Sequence, residues 1–437
     1  MHQRTVLDNG LRIMTSTMPH TNSVSMAFFI GVGSRYESDE QSGASHFIEH
    51  MLFKGTAKRP TTMDIASAIE RVGGILNAST GQEESMYWVR VPHHHLDTAI
   101  DVLADMLRHA RFTPSEIDKE RDIIIREINL TLDTPDELVH LLSNQLVWPN
   151  HPLGRDVAGT QESITRLDRD GLLAYKSSHY LPNNTVISIA GNVEHEAAVH
   201  QVAVCLGDWV RGEVAPYQPA EDGQSEPRVL IRNQNTKQAY LCLSVPSLPR
   251  DHPDRFSLRL LNSVLGEGMG SRLFSGIREK QGLAYSIDSY VSALYDTGVI
   301  GAYASVDPEY VGVTIEAILG EWDKLKQEEI PPEELARAKD FVRGQLLLFM
   351  EDSFSVALWF GSQEILFSEV LTYEEAMDAI EPITTADIQR VAQNLFSQEK
   401  LNLAVVGPFN SEDGFRELLA FPPTIPPLPV HPRYRSR

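Results

Sequence analysis

The chain of 437 residues carries 60 acidic and 38 basic side chains, which gives a formal net charge of −22 and a pI near 5.1. This balance argues against nucleic acid as a standing partner, because phosphate contacts need clustered Lys and Arg. No stretch approaches the ~18 consecutive apolar residues of a membrane span, and the first residues lack the apolar core of a signal peptide. We therefore expect a cytoplasmic protein that binds neither nucleic acid nor membrane.

Cys205 and Cys242 are the two cysteines of the chain. Two cysteines are too few for a disulfide framework, and their separation is not that of metal ligands. This usage is typical of a reducing compartment. Both thiols are predicted to be ordinary core residues.

The first elements along the chain are predicted to be strands. Residues 5–14, 23–30 and 87–91 are rich in β-branched, apolar and aromatic side chains. Residues 96–109 have the apolar periodicity of an amphipathic helix. This mixture of strands and long helices predicts an α+β fold in which helices cover a sheet.

The segment from Gly43 to Gly55 (GASHFIEHMLFKG) is predicted to be a helix. At about 100° per residue, His46 and His50 lie about 40° apart on this helix, and Glu49 lies about 60° to the other side of His46. All three side chains can therefore converge on one ion and its water. This is the inverted H-x-x-E-H arrangement, in which both imidazoles bind zinc and the carboxylate stays off the metal as the general base.

The motif needs support from elsewhere in the chain. Chance alone places such a pattern in roughly one chain of this composition in twenty. Catalytic zinc also takes three protein ligands and leaves the fourth position to water, so a third ligand is expected outside the motif.

Two other segments resemble ligand-binding motifs but are not predicted to bind a metal ion or a phosphate group. The triplet His93, His94 and His95 cannot share one ion on a regular helix, because consecutive residues point about 100° apart, and it is predicted to open a helix. Residues 266–270 (GEGMG) lack the remaining residues of a phosphate loop or a dinucleotide fingerprint. They are predicted to be a flexible segment near the substrate.

The chain contains two copies of one unit. Residues 167–191 align without gaps on residues 383–407, an offset of 216 residues. Residues 113–128 align on residues 331–346, an offset of 218. The near-equal offsets indicate a tandem duplication.

The duplication predicts the domain organisation. The polar, aperiodic residues 213–227 separate the copies and are predicted to be a linker. Residues 1–212 then form an N-terminal domain, and residues 228–420 form its C-terminal homologue. The Pro-rich residues 421–437 are predicted to be a loose or strapped tail.

The aligned helices carry the candidate third ligand. Glu120 and Glu127 lie two turns apart on the first of these helices, about 20° off the same face. Two Glu at this spacing more often form only a solvated face. The second copy has Ala338 and Gln345 at these positions, and residues 256–263, which align roughly with the histidine motif, contain neither His nor Glu. The second copy thus lacks both the histidine motif and the two glutamates. This joint absence favours the interpretation that these residues form one site in the first copy.

Together, HFIEH, a gap of 76 residues and Glu127 within ERDIIIRE resemble the pitrilysin and insulysin family of zinc peptidases, in particular its branch similar to the mitochondrial processing peptidase. The resemblance extends from VLDNGLRI to VVGPF. It implies one zinc ion per chain, bound by His46, His50 and Glu127, with Glu49 as the base and Glu120 as a supporting carboxylate. It also implies two tandem homologous α/β sandwich domains around a clam-shell-like chamber.

Two further segments match the family. Asn77 and Ala78 lie in a segment that resembles the family's edge strand, to which a peptide substrate adds as an extra β-strand. In the second copy, Arg278 and Tyr285 resemble the Arg and Tyr that assist the substrate carbonyl and the tetrahedral intermediate. Larger relatives place zinc and this pair in different units of a four-unit chain. The resemblance therefore implies a homodimer whose sites are completed in trans.

The expected function is that of a zinc-dependent endopeptidase acting on peptides or unfolded segments. One alternative is a non-catalytic subunit of the same fold, such as a core subunit of a respiratory complex or an inactive processing-peptidase partner. The intact catalytic positions argue against it. A second alternative, a metal hydrolase of non-peptide substrates, keeps the zinc chemistry and lacks only the docking of a peptide at the edge strand.

Overall fold

The computed structural model of the protein describes residues 2–367 and 369–421. Within this part of the chain there are two mixed β-sheets, one in each half. The predicted tail, apart from Phe421, lies outside the described residues. None of the described helices has the length and apolar composition that crossing a bilayer would require.

The first half builds a six-stranded sheet from the described residues. Its strands are β1 (His2–Val6), β2 (Arg12–Thr17), β3 (Ser23–Ile30), β4 (Ile75–Thr80), β5 (Ser85–Pro92) and β6 (Thr185–Gly191). Its helices are α1 (Ala44–Leu52), α2 (Thr62–Glu70), α3 (Leu96–His109), α4 (Pro114–Asp133), α5 (Pro135–Val147), α6 (Gln161–Arg166), α7 (Arg169–His179) and α8 (His195–Leu206). The spatial order is β1-β2-β6-β3-β5-β4, so β4 is an edge strand.

The second half builds a five-stranded sheet from the described residues. Its strands are β7 (Arg228–Asn233), β8 (Ala239–Ser247), β9 (Ala284–Ala293), β10 (Gly298–Val306) and β11 (Asn402–Gly407). Its helices are α9 (Arg255–Gly266), α10 (Val311–Gln327), α11 (Pro332–Phe349), α12 (Ser353–Leu366), α13 (Tyr373–Ile380), α14 (Thr385–Leu395) and α15 (Phe415–Leu418). The spatial order is β7-β11-β8-β10-β9.

The two sheets have the same topology. The order β2-β6-β3-β5-β4 in the first sheet matches β7-β11-β8-β10-β9 in the second. In both sheets the first two strands of this order are parallel and the other neighbours are antiparallel. Helix α7 and strand β6 recur as α14 and β11 at the predicted offset of 216, and α4 recurs as α11 at 218. The predicted duplication is confirmed.

One predicted strand was wrong. Residues 5–14 are not a single strand, because the chain turns between β1 and β2 and the two strands pair antiparallel. The turn is closed by a bond from the Leu7 amide to the Leu11 carbonyl, and Gly10 has a φ of +86°. The adjacent Asn9-Gly10 pair is a strong hairpin signal that alternation of apolar residues alone does not reveal.

One helix of each half packs on the sheet of the other half. Helix α5 of the first half packs on β8 and β11, and its equivalent α12 packs on β3 and β6. The first contact buries Leu138, Val139 and Leu142. The second brings Gly361 so close to Phe29 that a Cβ on the glycine would meet the ring at 2.1 Å. The exchange therefore joins the halves through two apolar interfaces.

A buried ion cluster also connects the halves. Glu83, in the turn between β4 and β5, pairs with Arg35 of the first half at 2.6 Å and with Arg250 of the second half at 2.8 Å. The Tyr295 amide donates to the same carboxylate at 3.0 Å. Arg35 also donates to the carbonyl of Gln218 in the predicted linker, at 3.0 Å. Moving Glu83 away from its partners would leave buried charges unpaired, which strongly destabilises a protein. The cluster therefore holds the turn after β4 in place.

The histidine triplet and the two cysteines have no metal-binding arrangement in the described part of the chain. His93–His95 form one 3₁₀ turn directly before α3, as a segment that opens a helix should. Both cysteines are free thiols. Cys242 is buried under α5, and burial raises the pKa of its thiol far above the usual value. The flexibility of residues 266–270 stays a prediction.

Candidate active site

Helix α1 carries the histidine motif, and its first turn is held by a buried carboxylate. The two oxygens of Glu37 accept the backbone N–H groups of Gly43 and Ser45, each at 2.7 Å. Gly43 has a φ of +90°, and a Cβ there would meet the carbonyl oxygen of Ala158 at 2.6 Å. Apolar residues of α1, among them Phe47, lie in the core of the first half. The remaining face of the helix is thereby fixed toward α4.

His46, His50 and Glu127 come together on that face. The Nε2 atom of His50 lies 3.5 Å from Glu127 Oε2, and the Nε2 atom of His46 lies 3.9 Å from it. One ligand atom from each residue lies within 4.8 Å of the other two. The two imidazole rings meet edge to face, with centroids 4.6 Å apart. Among the described residues, this is the one such group of three potential ligands.

The donor set fits a zinc ion. Zinc bonds of about 2.0–2.2 Å in a tetrahedral site place ligand atoms roughly 3.3–3.6 Å apart. The distances from Glu127 Oε2 to the Nε2 atoms of His50 and His46, 3.5 Å and 3.9 Å, are close to this range. Burial, and next the neighbouring His50, lowers the pKa of His46 to about 4. This ring is therefore neutral at neutral pH, the form in which imidazole binds a metal.

Glu120 supports His50 from behind. Its Oε2 atom lies 3.0 Å from His50 Nδ1, and its Oε1 atom lies 2.8 Å from the ammonium group of Lys54. Burial alone would raise the pKa of Glu120, but the hydrogen bonds from His50 and Lys54 outweigh it, so the pKa is lowered. A carboxylate bonded to Nδ1 fixes the tautomer that leaves Nε2 free to bind a metal.

Glu49 lies beside the cluster without belonging to it. Its Oε2 atom accepts a hydrogen bond from the hydroxyl group of Thr80. Burial raises the pKa of Glu49, although the Thr80 hydrogen bond and the charge of His50 act in the opposite direction. A carboxylate with a raised pKa is suited to take and return a proton near neutral pH.

Asn77 and Ala78 lie on the edge strand β4, as expected. The strand pairs with β5 on one side, and its other side has no neighbour among the described strands. The Ala78 amide donates to Asn77 Oδ1 at 2.8 Å. The Asn77 side chain thus satisfies an amide on a strand that has an open edge.

Arg278 and Tyr285 lie in the second half. Arg278 is near the end of a π-helix, Leu273–Lys280, and its guanidinium group stacks over the Phe274 ring at 4.6 Å. Tyr285, in β9, is 59% exposed. Neither side chain forms a hydrogen bond or ion pair with a described residue of the first half. The structure therefore gives the pair no polar contact with the histidine cluster of its own chain.

Three supporting residues had not been predicted. Lys54 follows His50 by four residues, so helical spacing could have placed it beside a partner of that histidine. Glu37 and Thr80 reach α1 from a loop and from a strand. Their contacts depend on tertiary packing, for which the sequence carries no local signal.

We expect Glu37→Gln to destabilise the metal-free protein by about 1–3 kcal/mol, because one accepting oxygen becomes a donor that faces a buried N–H group. Urea unfolding at pH 8 would measure this loss, since burial raises the pKa of Glu37 to about 7 and the carboxylate is ionised there. The exposed Glu40 provides the control, and Glu40→Gln should leave stability unchanged. Equal stability of both variants would contradict a role for Glu37 in holding α1.

Two family models match this chain. The model described as Insulinase (Peptidase family M16) matches residues 12–161, which include the histidine motif and Glu127. The model described as Peptidase M16 inactive domain matches residues 166–342. The second match lies mostly in the half that lacks the potential ligands.

Known proteins resemble the chain over most of its length. It is 35% identical over 420 residues to an uncharacterized zinc protease of Streptomyces coelicolor, covering 95% of this chain and 91% of the relative. It is 34% identical to the uncharacterized zinc protease YmxG of Bacillus subtilis, covering 93% and 98%.

Solved structures share the fold. A protease from Helicobacter pylori superposes with a TM-score of 0.89 at 22% identity, covering 93% of this chain and 99% of that one. A chain of complex III2 from Candida albicans superposes with a TM-score of 0.82 at 21% identity, covering 95% and 99%. At these identities the likeness concerns the fold alone. The duplicated fold, the convergence of His46, His50 and Glu127, and the matches over nearly the whole chain agree, and the protein belongs to peptidase family M16.

Proposed function

We propose that the protein is a zinc-dependent endopeptidase that cleaves peptides or unfolded segments in the cytoplasm. The observation that carries this proposal is the cluster of His46, His50 and Glu127, with Glu49 beside it and outside the ligand set. The names of the relatives support a zinc protease in general terms. The fold does not distinguish a peptidase from other proteins, since a chain of complex III2 shares it.

The proposed site assigns a separate role to each side chain. His46, His50 and Glu127 would hold the metal, and Glu120 would orient His50. A bound zinc ion supplies a Lewis acid that acidifies water and polarises a carbonyl group. Glu49 would remove a proton from the attacking water and return it to the leaving amine.

The proposed docking site for the substrate is the open edge of β4. A peptide that adds to this edge as a strand would form main-chain hydrogen bonds and would replace the Asn77 side chain at the Ala78 amide. Recognition would then depend more on an extended backbone than on any one side chain. This strand is the feature that favours peptides over other substrates of a metal hydrolase.

Arg278 and Tyr285 are proposed to donate hydrogen bonds to the oxyanion that develops at the scissile carbonyl. Both are exposed, and neither has a polar contact with the histidine cluster of its own chain. We therefore propose that they act across a homodimer, so that each site combines side chains from two copies.

A quenched-fluorescence peptide assay with and without a chelator tests the proposed function. Cleavage that a chelator abolishes and added zinc restores is the expected result. A zinc-loaded protein without peptidase activity would favour a non-catalytic subunit. Hydrolysis of small esters or amides with no cleavage of peptides would favour a metal hydrolase of other substrates.

A proline scan of a good peptide substrate tests docking at β4. Proline cannot donate to a β-ladder, so we expect it to block cleavage at alternate positions of the peptide, where the backbone N–H would point to β4. N-methylation at the same positions removes the donor and keeps the original side chain, and it should have the same effect. Unchanged cleavage rates across the whole scan would contradict strand addition.

A further inference from the structure

The end of the edge strand reaches the candidate general base. Thr80 is the last residue of β4, where it lies opposite Ser85 of β5. Its hydroxyl group donates to Glu49 Oε2. Thr80 therefore joins the proposed docking strand to the proposed general base by a hydrogen bond.

This hydrogen bond restricts the Glu49 side chain. A mostly buried glutamate side chain with one oxygen in a hydrogen bond has few orientations left. The second oxygen of Glu49 has no hydrogen-bond partner among the described residues. The hydroxyl group is itself restricted, because threonine is branched at Cβ and its χ1 angle is narrow in a strand. The position of the Glu49 carboxylate thus follows the backbone of β4.

The backbone at this point is held from several sides. The Gly81 carbonyl accepts the Ser34 amide at 3.2 Å, and the Gly81 amide donates to the Glu84 carbonyl at 2.7 Å. The next residues of the turn include Glu83, whose carboxylate lies in the buried ion cluster with Arg250. Thr80 consequently has a rigid support on the side away from the open edge.

We propose that Thr80 is a positioning residue that orients Glu49 for proton transfer and makes this orientation depend on the strand that receives the substrate. The inference rests on the proposed peptidase function. The same strand would then position both the general base and a peptide added to its open edge. Loss of the Thr80 hydroxyl group should therefore have little effect on peptide binding and a large effect on the rate of proton transfer.

Steady-state kinetics of Thr80→Val and Thr80→Ser test this role. We expect Thr80→Val to lower kcat about 10-fold or more with a KM within about 2-fold of wild type, as for an interaction used in the transition state. Thr80→Ser retains the hydroxyl oxygen and should recover most of kcat. A loss confined to KM, or a serine variant as poor as the valine variant, would overturn the proposal.

Thr17→Val is the matched control. Thr17 ends β2 as Thr80 ends β4, and its hydroxyl group donates to the Val193 carbonyl at 3.0 Å. The substitution therefore removes the same atoms and one hydrogen bond far from the histidine motif in the sequence. It should leave kcat and KM unchanged. A loss of kcat equal to that of Thr80→Val would mean that any such hydroxyl matters, and the specific role would fail.

A double-mutant cycle gives a second measurement that needs neither metal nor activity. Unfolding free energies of the metal-free wild type, Thr80→Val, Glu49→Ala and the double variant should be non-additive, because either single change already breaks the bond. Additive effects would overturn the proposed contact. If the wild type shows no chelator-sensitive cleavage, the proposed function fails, and the cycle still decides whether Thr80 holds Glu49.

Discussion

Glu49→Gln should stop peptide cleavage and leave zinc bound. The carboxylate lies outside the cluster of His46, His50 and Glu127, so its loss removes no ligand. A carboxamide cannot accept the proton of the attacking water, and loss of a general base costs about 10²–10⁴-fold in kcat. Zinc analysis and kinetics on the purified variant would measure both quantities.

Glu127→Gln provides the contrast to Glu49→Gln. It removes a charged ligand, so we expect weaker zinc binding and a lower zinc content at limiting metal. The exposed Glu70 provides the control, and Glu70→Gln should change neither zinc content nor rate. Loss of zinc from Glu49→Gln would contradict the role of Glu49 as a base outside the ligand set. Full zinc occupancy of Glu127→Gln at limiting metal would mean that the third ligand lies elsewhere.

Mixing two inactive variants should restore activity if sites are completed in trans. His46→Ala damages the metal site and Arg278→Ala damages the oxyanion site, so each homodimer is inactive. In a heterodimer, one site carries both lesions and the other carries neither. Random exchange makes half of the dimers mixed, each with one intact site, so activity should approach about a quarter of wild type.

Two controls accompany the mixing experiment. Exchange of subunits must be shown separately, for example by energy transfer between labelled copies. Mixing His46→Ala with Glu49→Gln should restore nothing, because both lesions lie in the first half and no dimer then holds an intact site. Full exchange without recovery in the His46→Ala and Arg278→Ala mixture would contradict assembly of the site from two copies.

The sequence predicted the parts of the site that depend on local geometry. His46, His50 and Glu49 share a helix, and Glu120 and Glu127 share another, so fixed angles per residue place them correctly. The duplicated topology followed from the near-equal offsets of 216 and 218 residues between the copies. The sequence could not reveal the contacts of Glu37 or Thr80, because these join elements whose relative position is set by packing. It also could not reveal that α5 and α12 are exchanged, since each helix has an apolar face that either sheet could cover.

The exchange of helices has a consequence for synthesis on the ribosome. The first sheet is complete in the chain at Gly191, but the helix that covers its face beside Phe29 begins only at Ser353. Synthesis at about 5–20 residues per second means that this apolar face stays uncovered for roughly 10–30 s before α12 is made. The nascent first half therefore exposes an apolar surface of the kind that chaperones bind. A chain truncated between the halves would therefore leave this face of its first sheet exposed.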